Sequence, residues 1–332
     1  MFRRSIALGI VLVFFVVAVS ALGWAASPSG TVRWSYRLTP EDIVFTKGKF
    51  AERYGVTVQS VLFATGIEAR DALIAGAIDV AELGVSPAVT ALARAGRNLV
   101  IIAGDEYGGG KYRVVVPKGS PIKTVDELRG KKVAIKVGSG NYTAFLQWVQ
   151  SRGYNIKDFQ IVDVGDADAV AAMESRSVDA VIYWEPIPAI LVAKGIAREI
   201  FDFEGYVTNP VWVVARREWV EKNPDLVARF LAGWIEALAF MTEKPAEAAE
   251  IISKALAERG IDIPATAYTQ ALKHDRYEPW LHPFLIRDTI EVHRFLVREN
   301  RAPANIDWKV AFDPRPLAQA MQLVVERALT EQ

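Results

Sequence analysis

The chain has 332 residues, and lysine plus arginine balance aspartate plus glutamate at 39 each, for a formal net charge of zero. No global field therefore draws it to nucleic acid or to an anionic membrane surface. There is no cysteine, which excludes structural disulfides, thiolate metal sites, thiol catalysis and a lipid-anchored cysteine.

Arg3 and Arg4 precede an apolar run from Ile6 to Val19, closed by small residues around Gly23, Ala25 and Ala26. This is the layout of a secretory signal peptide over residues 1–26, cleaved near Ala25. An uncleaved anchor is the rival reading, but Ile6 to Leu22 falls short of the roughly 20 residues that span a bilayer comfortably. The remainder is long enough for two domains with full cores.

Thr31 to Tyr36 alternates as a first strand, followed by a helix with Thr39 as N-cap and Pro40 at its first position. Further strands are expected at Val56 to Phe63, Ile78 to Leu83 and Leu99 to Ala103. Helices start between them at Thr65–Gly66 and at Ser86–Pro87. Such alternation indicates a parallel sheet with helices on both faces. Tyr107 to Lys111, YGGGK, is either a surface turn or a crossing between two lobes. Beyond the strand Tyr112 to Val116, Ser120 to Gly130 reads as a short helix with Thr124 and Glu127 as a capping box.

Val133, Ile135 and Val137 then alternate until Gly138, Ser139, Gly140 and Asn141 break the pattern. From Tyr142 helical spacing takes over, pairing Phe145 with Val149. A strand that turns on small residues into a helix aims free N–H groups and a positive dipole end at one point, which suits an anion. Strands follow at Gln160 to Val164, Val178 to Tyr183, Ile200 to Phe203 and Val211 to Val214, the last returning to the first lobe. The amphipathic helices after Glu218 are expected to pad that lobe. The boundaries are thus 30–112 for the first lobe, 113–211 for the second, and 212–332 for the return and C-terminal helices. Ala72 to Pro87 echoes Ala172 to Pro186, with Asp79 and Asp179 at matching places, which favours two related halves.

In open α/β sheets, ligands sit beyond the carboxyl ends of the strands. Those positions hold Thr39, Thr65, Gly66, Val85 and Ser86 in the first lobe, and Gly138, Ser139, Gly140, Asn141, Tyr142, Trp184 and Glu185 in the second. Asn209 lies near the return crossing. Arg276, in the loop from His274 to Trp280, either reaches the cleft or forms a surface ion pair. The set has hydroxyls, helix starts, aromatic faces and a carboxylate, but no conspicuous nucleophile–base pair. It suits holding a small molecule rather than transforming it. His274, His282 and His293 lack metal-ligand spacing, so no metal or cofactor is expected.

These residues resemble the solute-binding proteins of sulfonate, taurine and nitrate ABC uptake systems. Ser120 to Val133 (SPIKTVDELRGKKV) is similar to the opening of their second lobe, and Gly138–Ser139 before a helix to their anion-contacting loop. Ile78–Asp79 through Gly84 and Ser86–Pro87 resembles their first-lobe helix start; Val178–Asp179–Ala180 to Trp184–Glu185–Pro186 resembles their second strand-end motif. The resemblance implies an α/β, two-lobed periplasmic-binding fold of type II, a periplasmic monomer, a small-molecule anion as ligand and an inner-membrane permease as partner. An aliphatic sulfonate such as taurine is the expected ligand, covered by Trp184 and Tyr142. Nitrate or bicarbonate, an aromatic acid and a thiamine pyrimidine precursor stay open, as do an enzyme or a membrane-tethered sensor on this scaffold. Glu185 replaces the family's usual aspartate, and its longer arm either meets an amine on the ligand, latches the lobes or narrows the pocket. The related synthases carry a cysteine-rich motif that this chain lacks.

Overall fold

Residues 30–330 are described in a computed structural model of the chain; the expected signal peptide lies outside them. The chain opens with β1 (Thr31–Tyr36), α1 (Pro40–Lys47), β2 (Thr57–Leu62), α2 (Gly66–Ile74), β3 (Val80–Gly84), α3 (Val85–Ala95) and β4 (Leu99–Gly104). The short β5 (Glu106–Tyr107) leads through the three glycines into β6 (Arg113–Pro117), β7 (Lys132–Ile135) and α4 (Gly140–Ser151). Next come β8 (Gln160–Asp163), α5 (Asp166–Glu174), β9 (Ala180–Tyr183), α6 (Ile187–Ala193), β10 (Ala197–Asp202) and β11 (Val211–Arg216). The last part is α7 (Arg217–Lys222), α8 (Pro224–Glu243), α9 (Pro245–Ala257), α10 (Ala265–Ala271), β12 (Arg276–Tyr277), α11 (Pro283–Arg298) and α12 (Arg315–Thr330).

Two five-stranded sheets result, ordered β2-β1-β3-β11-β4 and β10-β6-β9-β7-β8. In the first, β11 runs antiparallel between β3 and β4, so the chain returns to this sheet after building the second. In the second, β7 lies parallel to both β8 and β9, and β6 runs antiparallel to its neighbours β9 and β10. The molecule is a two-lobed α/β fold with mixed sheets, and the chain crosses between lobes at residues 105–112 and again at 203–210. A β5–β12 ribbon lies beside the first crossing. At Gly109 a Cβ would sit 1.9 Å from the carbonyl oxygen of Phe203, so the two crossings touch only because this residue has no side chain.

The first core follows from alternation. Val32, Trp34 and Tyr36 of β1 point to one face, where Trp34 packs its ring 5.3 Å from those of both Phe230 and Trp234 on α8. The second core gathers Val114, Val133, Tyr142, Phe145 and Trp148. Edge strand β4 is covered: Ile101 N–H donates to Ala311 O, and Asp313 N–H donates to Ile101 O, each at 2.9 Å. That closes an otherwise open row of backbone groups.

The echo between the halves has a structural cause. Asp79 accepts from Arg33 N–H at 3.1 Å at the start of β3, and Asp179 accepts from Lys132 N–H at 2.9 Å before β9. Each aspartate fixes the register of its strand on the neighbouring parallel one.

Two sequence expectations are corrected. Ser120 to Gly130 is not a helix of that length: only Asp126–Leu128 forms a 3₁₀ turn. Ile122, Val125 and Leu128, the buried residues there, recur every third position, which is the 3₁₀ period rather than the α period. The C-terminal helices do not all pad the first lobe. Leu285 of α11 joins the cluster holding Ala88 and Trp212, whereas Val292, Phe295 and Leu296 join the cluster around Tyr142.

Candidate functional site

Four helix starts open on one cleft between the lobes. Thr39 and Pro40 bring the start of α1, Thr65 to Ile67 that of α2, Gly84 and Pro87 that of α3, and Ser139–Gly140 that of α4. Each start leaves backbone N–H groups without intrahelical partners and carries the positive end of a helix dipole. Because the helices come from both lobes, an anion held there touches both halves. Gly140 is required by close approach, since a Cβ would fall 2.3 Å from the hydroxyl oxygen of buried Tyr112.

The sequence-derived candidates divide sharply. Thr39, Thr65, Gly66, Ser139, Gly140, Trp184 and Glu185 line the cleft. Thr65 Oγ1 accepts from Glu68 N–H at 3.3 Å and so caps α2. Ser139 Oγ donates to Lys136 O at 2.6 Å, so a ligand would have to draw that proton away. The Trp184 ring lies 4.3 Å from that of Tyr183, which leaves its other face to the cleft wall.

The remaining candidates sit elsewhere. Asn141 is fully buried and donates from Nδ2 to Ile182 O at 2.7 Å, tying α4 to the end of β9. Tyr142 lies in the second core with its hydroxyl accepting from Arg301 Nη2 at 3.0 Å, so it does not cover the cleft. Gly138 turns at positive φ behind the lining, facing Ile67 of α2. Val85 is buried in the cluster around Tyr142. Ser86 Oγ lies 2.8 Å from Thr143 Oγ1, a contact from α3 to α4 across the lobes. Asn209 Nδ2 donates to Gly140 O at 2.9 Å, bracing the α4 start from the second crossing. Arg276 is half exposed and pairs with Glu204 at 3.3 Å on the surface.

What the sequence reading missed is a layer of buried charge. Arg37 is ion-paired with Glu82 of β3, and Arg113 is clamped between Glu185 and Glu199. Lys111, almost fully buried, donates to Glu106 at 2.7 Å and lies 4.0 Å from Asp275. Burial opposes its charge, yet Asp275 and Glu106 outweigh burial and raise its pKa above the usual lysine range. Burial pushes Glu41 up to about 8, with Glu106 and Asp42 adding to the rise. Burial likewise raises Asp105, Asp275 and, against the pull of Arg113, Glu185. Perturbed groups of this kind concentrate at functional clefts. Glu82 could have been noticed as a lone charge inside an apolar strand, and Arg37 and Glu41 by flanking Thr39. Asp275 lies in the His274 to Trp280 loop, of which the sequence pointed to Arg276 instead.

Comparison with known proteins fits this architecture. An aliphatic sulfonates-binding protein of Escherichia coli is 29% identical over 214 residues, 64% of this chain and 65% of that protein. The taurine-binding periplasmic protein of the same organism is 26% identical over 212 residues, 62% and 64% of the two chains. The chain thus aligns with slightly under two thirds of either relative's length. The alkanesulfonate-binding protein SsuA from Xanthomonas axonopodis pv. citri, solved with MOPS bound, superposes with a TM-score of 0.78. That match has 21% identity and covers 87% of this chain and all of that one, which places the fold among two-lobed periplasmic binding proteins of type II. The model of the NMT1-like family matches residues 30–263, and the chain belongs to that family.

Proposed function

We propose that the protein is the extracytoplasmic binding component of an ABC importer, closing its lobes over a small organic sulfonate and passing it to a membrane permease. The observation that carries this reading is the convergence of helix starts from both lobes on one cleft. A sulfonate there gains N–H donors and dipole ends from each half, so it favours the shut state by differential affinity. Lys136 adds a cationic group on the second lobe, and Trp184 offers an apolar wall for a short carbon chain. Similarity to proteins named for sulfonate binding supports the same ligand class. An enzymatic role has less support: among the described residues no serine or threonine hydroxyl is hydrogen-bonded to a histidine, and the chain has no cysteine.

Isothermal titration with 2-aminoethanesulfonate, alkanesulfonates, nitrate, carboxylates and an aminopyrimidine tests the reading. Heat from at least one sulfonate, and none from nitrate, is expected. Binding of nitrate or the pyrimidine alone rejects it.

A further inference from the structure

Several residues that the sequence placed beside the ligand join the lobes to each other instead. Ser86 Oγ and Thr143 Oγ1, both buried, lie 2.8 Å apart. Thr143 gives its own proton to Ser139 O at 3.1 Å, so Ser86 is the donor between the two hydroxyls. The bonds thus run from the second residue of α3 to the residue that precedes α4. Around them Val85 and Val89 of α3 share one apolar cluster with Tyr142 and Phe145 of α4, although the two helices belong to different lobes.

A second tie comes from α11. That helix is fixed to the first lobe, where Trp212 Nε1 of β11 donates to buried Thr289 Oγ1 at 3.0 Å. Just past its end, Arg301 donates to the Tyr142 hydroxyl at 3.0 Å and holds its guanidinium 4.9 Å from the centre of that ring. Gln150 of α4 donates to Glu299 at 3.0 Å beside it. On the opposite flank α10 rests on α6. The outer edge of the cleft is different. There Ile67 Cδ1 of α2 lies 3.4 Å from where a Cβ of Gly138 would be. Among the described residues no side-chain hydrogen bond or ion pair joins α1 or α2 to the second lobe. Parting the lobes at α3 and α4 would expose packed apolar surface and break buried bonds, whereas parting them at Ile67 breaks one slight contact.

We propose that the Ser86–Thr143 pair and Arg301 are positioning residues that keep the starts of α3 and α4 together across the lobes, with or without ligand. Half of the anion site is then preassembled, and the lobes part at the edge where α2 faces Gly138. A ligand meets helix starts that need no further ordering, which lowers the cost of binding. The inference goes beyond the sulfonate reading, because it holds for any ligand of the cleft.

The chain has no cysteine, so Ser86→Cys with Thr143→Cys adds a single disulfide across this contact alone. X-ray scattering of the ligand-free double variant compares its oxidised and reduced forms, with thiol titration to establish that the bond has formed. Equal radii of gyration are expected. A smaller radius on oxidation would show that the lobes part at α3 and α4, and would overturn the proposal. Association rates of 2-aminoethanesulfonate and ethanesulfonate should change by less than about threefold on oxidation, and a larger fall that reductant reverses would also overturn it. If the unmodified protein binds neither sulfonate, the sulfonate reading falls while scattering still decides this one. Arg301→Ala is the second variant. Its ligand-free radius should grow and its sulfonate affinity fall roughly three- to tenfold, because fewer free molecules hold the α4 start in place, and Arg301→Lys should recover both. An unchanged radius, or a lower melting temperature with unchanged affinity, would reduce the arginine to a prop for Tyr142 and reject its positioning role. Should the cysteines fail to oxidise, the two Arg301 variants decide alone.

Discussion

Arg113 shows how much a single residue can carry here. It reaches from β6 to the carboxylates of Glu185 and Glu199, and Glu185 in turn accepts from Ala189 N–H at 3.2 Å at the start of α6. Removing one partner of a buried pair leaves an uncompensated charge, whereas removing both removes the problem. Arg113→Met is therefore expected to lower stability by about 3–5 kcal/mol, and the double variant Arg113→Met with Glu185→Met by much less. Urea denaturation curves of the two check this; equal losses would show that the arginine matters by packing instead. Glu185 was legible as a candidate because it follows the end of a strand. Its role was not, because the partner lies on a strand whose neighbour is set by sheet order, and one sequence does not give sheet order.

At the level of elements, strand-to-helix turns were the readable feature. Small residues after an alternating run located the starts of α2, α3 and α4 within a residue or two. Their side chains were harder to place, since a turn gives the backbone direction but not where each side chain goes. Asn141 and Tyr142 sit one residue apart at the start of α4, and both are spent inside the second lobe. The glycine before them makes the useful contact. Gly140→Ala would drive a methyl into the hydroxyl of Tyr112, which is too buried to swing aside. Overpacking of this kind costs about 1–3 kcal/mol. The expected outcome is a destabilised protein whose sulfonate affinity also falls, because the α4 start is pushed out of line. Paired melting and titration experiments check both effects. Unchanged affinity in a destabilised variant would separate the α4 start from the ligand.

Across the whole molecule, the two-lobed plan was legible because the alternation restarts after YGGGK and the Asp79 and Asp179 segments repeat one another. The electrostatics of the cleft were not, because the balanced overall composition hides a local excess of acid. That excess has a consequence for stability against pH. Glu41 faces Asp42 on its own helix, Arg37 on the segment before it, Glu82 on β3, and Asp105 and Glu106 at the first crossing. Its pKa is raised to about 8, and burial also raises Asp42 and Asp166 to about 6. A raised carboxyl pKa means that the folded state binds protons the unfolded chain, titrating near roughly 4, has already released. Stability from these groups is therefore fully present only below about pH 4, where the unfolded carboxyls are protonated too, and is lost as pH rises, through about 6 for the two aspartates and about 8 for Glu41. The melting temperature of the free protein should fall between pH 6 and 8, and Glu41→Gln, which cannot ionise, should flatten that slope. A melting temperature that rises over this interval, or a slope that Glu41→Gln leaves intact, would show that the carboxylates around Glu41 are already neutralised within the protein.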